Sequence, residues 1–366
     1  SLTAELGTKA LVIMDPFLKD SPVAARVFSR LKEENIEFVE WYDVVANPRA
    51  QSIDNAASLA REHGCDHVIA VGGGSAIDSA KAVCIVAKNE GSSWDYTIRE
   101  GSEVPEITQP VLPLLAVPTT AGTGTEVTPY AVISKPDEAL KATIADRSIF
   151  PTISIVDPSL HTSKPRALTA STGLDAFAHA FEAYISIHSN PWTDTLALES
   201  IRLFAGSIEE CCNNGENIEA RAKMAESCYL AGIALGHIGV ALPHVLGQAL
   251  GALKDAPHGA AVAAATVAVI RWTLPVASEK LAVVAEILDP SITRRETDER
   301  AEMLPSILEG LYSRIGATDT FGSFGLVEGE IEKLTEVAFQ AYGRDVVCHP
   351  KLATRDDVME IARECL

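Results

Sequence analysis

Basic side chains are scarce in this chain. Thirty Lys and Arg stand against 50 Asp and Glu, a formal charge of −20 at pH 7. A surface of that sign repels phosphate backbones and anionic lipid, so neither nucleic acid nor a membrane surface is an expected partner. Cys-x-x-Cys spacing is absent. The seven cysteines (65, 84, 211, 212, 228, 348 and 365) are scattered and odd in number, which points to free thiols in a reduced compartment. The longest apolar run, Gly259 to Ile270, is Ala-rich, interrupted by Thr266 and too short to cross a bilayer. No signal peptide opens the sequence, and no repeat or low-complexity tract interrupts it. The expected location is cytoplasmic. The sequence starts at Ser1, close to a strand pattern, so some preceding residues are expected to be missing.

The composition, 47% hydrophobic and 22% charged, is that of a globular protein with sizeable cores, and 366 residues predict two domains. The first half alternates short apolar strands with amphipathic helices. Strands are predicted at Ala10–Met14, Phe38–Tyr42, His67–Val71, Val111–Val117, Ala131–Ser134 and Ile153–Val156, with helices at 23–31, 53–62 and 76–88. Such alternation implies a parallel sheet covered on both faces. From about Pro165 onward only helical periodicity remains: 167–187, 193–211, 218–235, 260–272, 279–287, 297–315, 328–342 and 356–365. The expected organisation is an α/β domain over residues 1–158 and an all-helical domain over 159–366, the change falling near Asp157-Pro158.

Four local patterns carry chemistry. Gly72-Gly73-Gly74-Ser75-Ala76-Ile77-Asp78 follows a strand and opens a helix, where glycines admit a phosphate and free N–H groups favour it. Read plainly, the same stretch is a tight turn with Ser75 as N-cap and Asp78 at N3, and the two readings are compatible. It is not the Gly-x-Gly-x-x-Gly fingerprint, and it follows the third strand rather than the first. Asp43, at the end of the second strand, is placed either to take ribose hydroxyls or simply to turn the chain before Asn47-Pro48. The run Thr119 to Thr125 is rich in hydroxyls and glycines, suited to touching a nucleotide and equally ordinary for a loop. Finally, Asp175 and His179 are four apart on a helical pattern and share a face, as a hydrogen-bonded pair or as half of a metal site. His244 and His258 supply the other half, since one carboxylate and three imidazoles suffice for a divalent transition metal with an open position. His63, His67, His161, His188 and His349 have no partner pattern and are read as packed or surface residues.

Together these motifs resemble the iron-containing (group III) alcohol dehydrogenase family. The match runs through Tyr42 to Pro48, Gly72 to Lys81, Pro118 to Val127, Gly173 to Ala180 and His244 to Gly259, in family order. The resemblance implies a dehydroquinate synthase-like architecture, with residues 1–158 as the dinucleotide-binding domain, 159–366 as the metal- and substrate-binding domain, and Asp175, His179, His244 and His258 as metal ligands. It implies Gly73, Gly74, Ser75 and Asp78 as the cofactor turn, with Thr119, Thr120, Thr123 and Lys141 also lining the dinucleotide. Asp43 stands where an acid favours NAD over NADP. Two departures stand out: Gln248 replaces a histidine common near the nicotinamide, and His237 falls where relatives often carry asparagine. Gln248 cannot titrate, so water and the cofactor ribose carry the proton, or His237 has taken over.

The expected activity is therefore a metal-dependent, NAD(P)-linked alcohol dehydrogenase or aldehyde reductase acting on a small alcohol or aldehyde. The ligand set suits Fe²⁺, with Zn²⁺ as the alternative. The metal would act as a Lewis acid, and a carboxylate with three neutral imidazoles around it gives a site of net charge about +1. A homo-oligomer, dimer or larger, is expected from relatives. Rival readings are a zinc-dependent glycerol-type polyol dehydrogenase, a dehydroquinate synthase-like lyase, and a dinucleotide-binding regulator without activity. The lyase needs several cations for a phosphorylated acid, yet Gly173–Gly259 holds only Arg202, Arg221, Lys223 and Lys254.

Overall fold

A computed structural model describes residues 2–366. They form two compact units, one of the described residues up to Thr120 with Thr125–Leu160, the other of Ala121–Gly124 with His161–Leu366.

The first unit is built on five parallel strands: β1 (Lys9–Met14), β2 (Glu37–Trp41), β3 (His67–Gly72), β4 (Leu114–Pro118) and β7 (Ile153–Ser154), in the order β2-β1-β3-β4-β7. Central β3 is buried along its whole length, and β1 is buried from Ala10 on. This is why both read as continuous apolar runs rather than alternating ones. Ala10 stands opposite Phe38 on one side and His67 on the other. Helix α1 (Pro22–Glu33) starts with Pro22 after the N-cap Ser21, whose side chain accepts from Ala24 N at 3.2 Å. Helix α2 (Ala50–His63) stops at the left-handed Gly64.

Two sequence expectations are corrected here. Ala131–Ser134 does not extend the parallel sheet. As β5 (Tyr130–Lys135) it pairs antiparallel with β6 (Leu140–Ala145), a strand that was not predicted, in a separate two-stranded sheet. The short Pro136–Glu138 turn, closed by left-handed Ala139, allows only the antiparallel return. Nor is Ser75 an N-cap. Helix α3 (Gly74–Val86) begins two residues earlier than such a cap would place it, with Gly73 at the cap and no side-chain capping bond. The Asp78 carboxylate instead accepts from Thr125 Oγ1 at 2.6 Å and Val132 N at 2.9 Å. One turn on, fully buried Lys81 donates to Thr125 Oγ1 (2.7 Å), the Thr128 carbonyl (2.8 Å) and the Tyr130 carbonyl (2.7 Å). These two charges pin the start of the β5–β6 hairpin to α3.

The second unit is helical: α4 (Arg166–Ile185), α5 (Pro191–Ala205), α6 (Ile208–Asn213), α7 (Ile218–Ile238), α8 (Leu242–Lys254), α9 (His258–Leu288), α10 (Thr297–Ile315), α11 (Ile331–Val346) and α12 (Arg355–Glu364). Gly206-Ser207 splits the predicted 193–211 helix in two. Conversely, the predicted helices 260–272 and 279–287 merge into α9, which continues past Pro275 with a kink at Ala277. By length and composition α9 could cross a membrane, but 61% of its most apolar window is buried inside the fold, as in a core helix. Helix α4 lies in the core against α5, α7 and α9, with Phe177 stacked on Phe181 (5.9 Å) and tilted on Phe204 (5.1 Å). Each buried Phe of this kind contributes about 1.5–3 kcal/mol.

The loop Ala121–Gly124 belongs to this unit because Gly124, at φ +59°, sits against α7. A Cβ there would lie 2.7 Å from Gly232 Cα. Gly124→Ala therefore combines left-handed strain with a backbone clash, a loss of at least about 2 kcal/mol. Gly101, at φ +73° but facing open space, meets strain alone. The urea midpoint should fall clearly further for Gly124→Ala than for Gly101→Ala; equal midpoints would show that the close approach does not matter.

Candidate metal centre

Helix α4 presents Asp175, His179 and Glu182 at i, i+4 and i+7, one stripe along one face of a helix that is otherwise apolar from Gly173 to Ala183. His244 lies in the first turn of α8, and His258 is the first residue of α9. The approach of α9 requires Gly259: a Cβ there would lie 2.3 Å from the Ser171 carbonyl and 3.2 Å from Asp175 Cβ. The result is that one ligand atom from each of Asp175, His179, His244 and His258 lies within 4.8 Å of all the others, and the four can hold a metal ion.

The distances fit such an ion. His244 Nε2 is 3.4 Å and His258 Nε2 is 3.5 Å from Asp175 Oδ1. Those contacts are longer than a charge-assisted hydrogen bond of about 2.7–2.9 Å. They match the edge of a tetrahedron with ligand bonds of about 2.1 Å, roughly 3.4 Å. Asp175 Oδ1 and His244 Nε2 are buried and have no hydrogen-bond partner, which is costly unless a cation lies within reach of both. A simple Asp175–His179 hydrogen-bonded pair is not formed, because His179 Nδ1 is 3.2 Å from the Gly122 carbonyl and engages it instead. Asp175, His179 and His244 are buried, whereas the His258 side chain is 26% exposed and marks the open side.

Electrostatics agree with Asp175 and His179 as donors, while the carboxylates beside His244 favour its protonated form when no cation is present. Burial works against the Asp175 carboxylate, yet His179, His258 and His244 together hold its pKa far below the usual range. Burial lowers His179 to about 4, so its imidazole is neutral at pH 7 and keeps a lone pair for a metal. His244 is raised despite burial, first by Glu182 and then by Asp175.

Sequence reasoning missed Glu182. Its side chain is fully buried, its Oε1 lies 2.5 Å from His244 Nδ1, and its Oε2 accepts from Ala241 N at 2.5 Å. The only available signal was its place three residues after His179 on the same stripe. This second carboxylate was not counted in the expected site charge of about +1 and would lower it with a divalent ion bound. Asp345, also overlooked, is buried nearby; burial, with Glu182 adding to it, pushes its carboxyl up to about 6. Gln248, one turn after His244, is buried with an unpartnered Oε1. His237 stays outside the cluster: it is exposed, its Nδ1 engages the Ile233 carbonyl at 2.8 Å, and its ring lies edge-on to Trp192.

In the other unit, the Thr120 side chain lies against Gly73, and Thr119 Oγ1 is buried without a partner. The Gly73 amide donates to Asp15 Oδ2 at 2.7 Å, a contact with no counterpart in the sequence reading. Lys141 Nζ donates to Asn47 Oδ1 at 2.9 Å, while Asp43 is exposed two residues beyond β2. Asp78 is turned inward to the hairpin, and Gly74 and Ser75 form the first turn of α3.

Residues 1–158 match the family described as iron-containing alcohol dehydrogenase, and residues 169–366 match the C-terminal region of the same family. The chain belongs to the iron-containing alcohol dehydrogenase family. It is 32% identical to the NAD-dependent methanol dehydrogenase of Bacillus methanolicus over 98% of this chain and 92% of that one. It is 34% identical to the 1,3-propanediol dehydrogenase of Klebsiella pneumoniae over 98% and 91% of the two chains. Among solved structures, an archaeal halo-thermophilic alcohol dehydrogenase from a Red Sea brine pool superposes with a TM-score of 0.95. That pair is 30% identical, with 100% of this chain and 93% of that one covered.

Zn²⁺ added to the metal-free chain should raise its thermal midpoint, by stabilisation approaching about 4 kcal/mol at a thousandfold excess over the dissociation constant. Asp175→Asn should abolish the rise and His237→Ala should leave it intact. An undiminished rise in Asp175→Asn would show that the ion binds elsewhere.

Proposed function

We propose that this chain is a divalent-metal-dependent, NAD-linked dehydrogenase that interconverts small alcohols and aldehydes, with Asp175, His179, His244 and His258 as the metal ligands. The observation that carries the reading is the convergence of those four donors, with Asp175 Oδ1 and His244 Nε2 buried and unpartnered. When bound, the metal supplies Lewis acidity toward the substrate oxygen, which lowers an alcohol's pKa or polarises a carbonyl. The protein's part is orientation. Asp175 supplies the negative charge, His179 is fixed by Gly122, and partly exposed His258 borders the side from which a substrate enters.

For the cofactor, the reading assigns the pyrophosphate to the start of α3, where the Gly74 and Ser75 amides point out of the helix end. Gly73 gives room, Thr119, Thr120 and Thr123 supply hydroxyls, and Lys141 supplies charge. Asp43 would take the ribose hydroxyls and favour NAD over NADP. Asp78 serves this turn by holding α3 to the hairpin rather than by reaching outward. The two units accordingly carry the two tasks: residues 1–158 bind the dinucleotide and 159–366 the metal and substrate. Fe²⁺ is the proposed ion and Zn²⁺ the alternative, in a cytoplasmic enzyme that assembles as a dimer or larger.

The relatives named for methanol and 1,3-propanediol support a short alcohol or diol as substrate. The polyol dehydrogenase reading shares this chemistry and differs in metal and substrate. The lyase reading finds little support: Arg221 is consumed by Gly215, Thr169 and Lys164, Lys254 by Glu330, and Arg202 by Glu199. Gln248 implies that no imidazole at that position relays a proton.

An absorbance screen for reduced nicotinamide over alcohols, diols and aldehydes, with Fe²⁺ or Zn²⁺ and with either dinucleotide, should show turnover that is greatest with NAD(H). Gln248→His should add an ionisation near pH 6–7 to the rate profile. Absence of turnover across the panel would remove the dehydrogenase and favour a silent regulator.

A further inference from the structure

Glu182 is buried, charged and shared by two partners, and the chemistry of those partners fixes what it must be. One is the backbone N–H of Ala241, the N-cap residue of α8, which can only donate. The other is His244 Nδ1, 2.5 Å from Glu182 Oε1. A carboxylate accepts at both oxygens, so a neutral His244 keeps its proton on Nδ1 and turns a bare Nε2 toward Asp175 Oδ1, 3.4 Å away. Without that acceptor either nitrogen could carry the proton, and in half of the ways of arranging it Nε2 would be blocked. The same residue also ties the entry of α8, where the chain turns sharply after Gly239, to the helix that carries Asp175 and His179.

We infer that Glu182 is the positioning residue of the metal centre: it sets the tautomer and orientation of His244 so that Nε2 is the ligand atom. The inference rests on the metal-site reading above. It makes an unusual prediction for the isosteric amide. In Glu182→Gln the side-chain oxygen must go to Ala241 N–H, because an NH₂ group there would oppose another donor. The NH₂ then faces His244 Nδ1 and demands a lone pair, which moves the ring proton to Nε2 and into the centre. A substitution that preserves shape and hydrogen-bond count therefore inverts the one feature that matters, as wrong-tautomer variants do in other histidine–carboxylate pairs.

The test is Zn²⁺ affinity by chelator competition for wild type, Glu182→Gln, His244→Ala and the double variant. ¹⁵N shifts of the imidazoles in the metal-free chain at high pH accompany it, with the His244 signal assigned by its loss in His244→Ala. The expected result is a ten- to hundredfold weaker affinity for Glu182→Gln. Its metal-free thermal midpoint should stay close to wild type, and its His244 signal should move to the Nε2-protonated form. Placed on His244→Ala, the Gln substitution should weaken binding little further, because its effect passes through that ring. Wild-type affinity in Glu182→Gln, or a loss that adds in full to that of His244→Ala, would overturn the assignment. So would a Glu182→Gln chain that does not fold, which would make Glu182 a folding determinant. Failure of the wild type itself to bind Zn²⁺ would instead sink the metal-site reading.

Discussion

A carboxylate sealed among imidazoles is the constraint from which the rest of the helical unit follows. Asp175 is 2% exposed, and an ionised group so placed is tolerable only with positive charge or donors around it. Three helices supply them. Helix α4 carries the acid and His179 on one stripe, α8 brings His244 in its first turn, and α9 begins with His258. The small residue at 259 is part of the same requirement, since any side chain there would drive α9 away from the acid. The centre is thus a property of how three helices pack, and its four donors are held by the same contacts that form the core.

A comparable logic governs the α/β unit. Its glycine turn is held by charges buried on either side of it. Asp15 at the end of β1 takes the Gly73 amide, while Asp78 and Lys81 on α3 grip the hairpin through Thr125, Thr128, Tyr130 and Val132. Burial raises the Asp15 carboxyl, and the Gly73 amide works against that rise.

Both units match the iron-containing alcohol dehydrogenase family. A non-titrating amide stands one turn from His244, and the exposed imidazole at 237 packs on Trp192 rather than joining the cluster. Gln248, on α8, offers no titratable group at that position, while the imidazole of His237 belongs to α7. Two buried carboxylates border the cluster, Asp175 facing the imidazoles and Glu182 against His244 Nδ1.

The local code was legible wherever one periodicity ruled a segment. The buried strands β1 and β3, the glycine turn after β3, and the long helices α4, α7 and α10 could be read directly, as could the shared face of Asp175 and His179. Where two chain segments must meet, the sequence was silent or wrong. Ala131–Ser134 looks like any parallel strand until its hairpin partner is found. The Gly- and Ala-rich segment of His244 was not among the expected helices, and packing makes it α8. Glu182 resembles any charged residue on an apolar helix, because its partner lies 62 residues away. Hydrophobic period and turn chemistry are set within a few residues, so the chain alone determined its elements and the types of ligand it carries. The meeting of those side chains at one point, and the carboxylate that faces His244 Nδ1, depend on helix packing across long separations, and only the tertiary structure decided them.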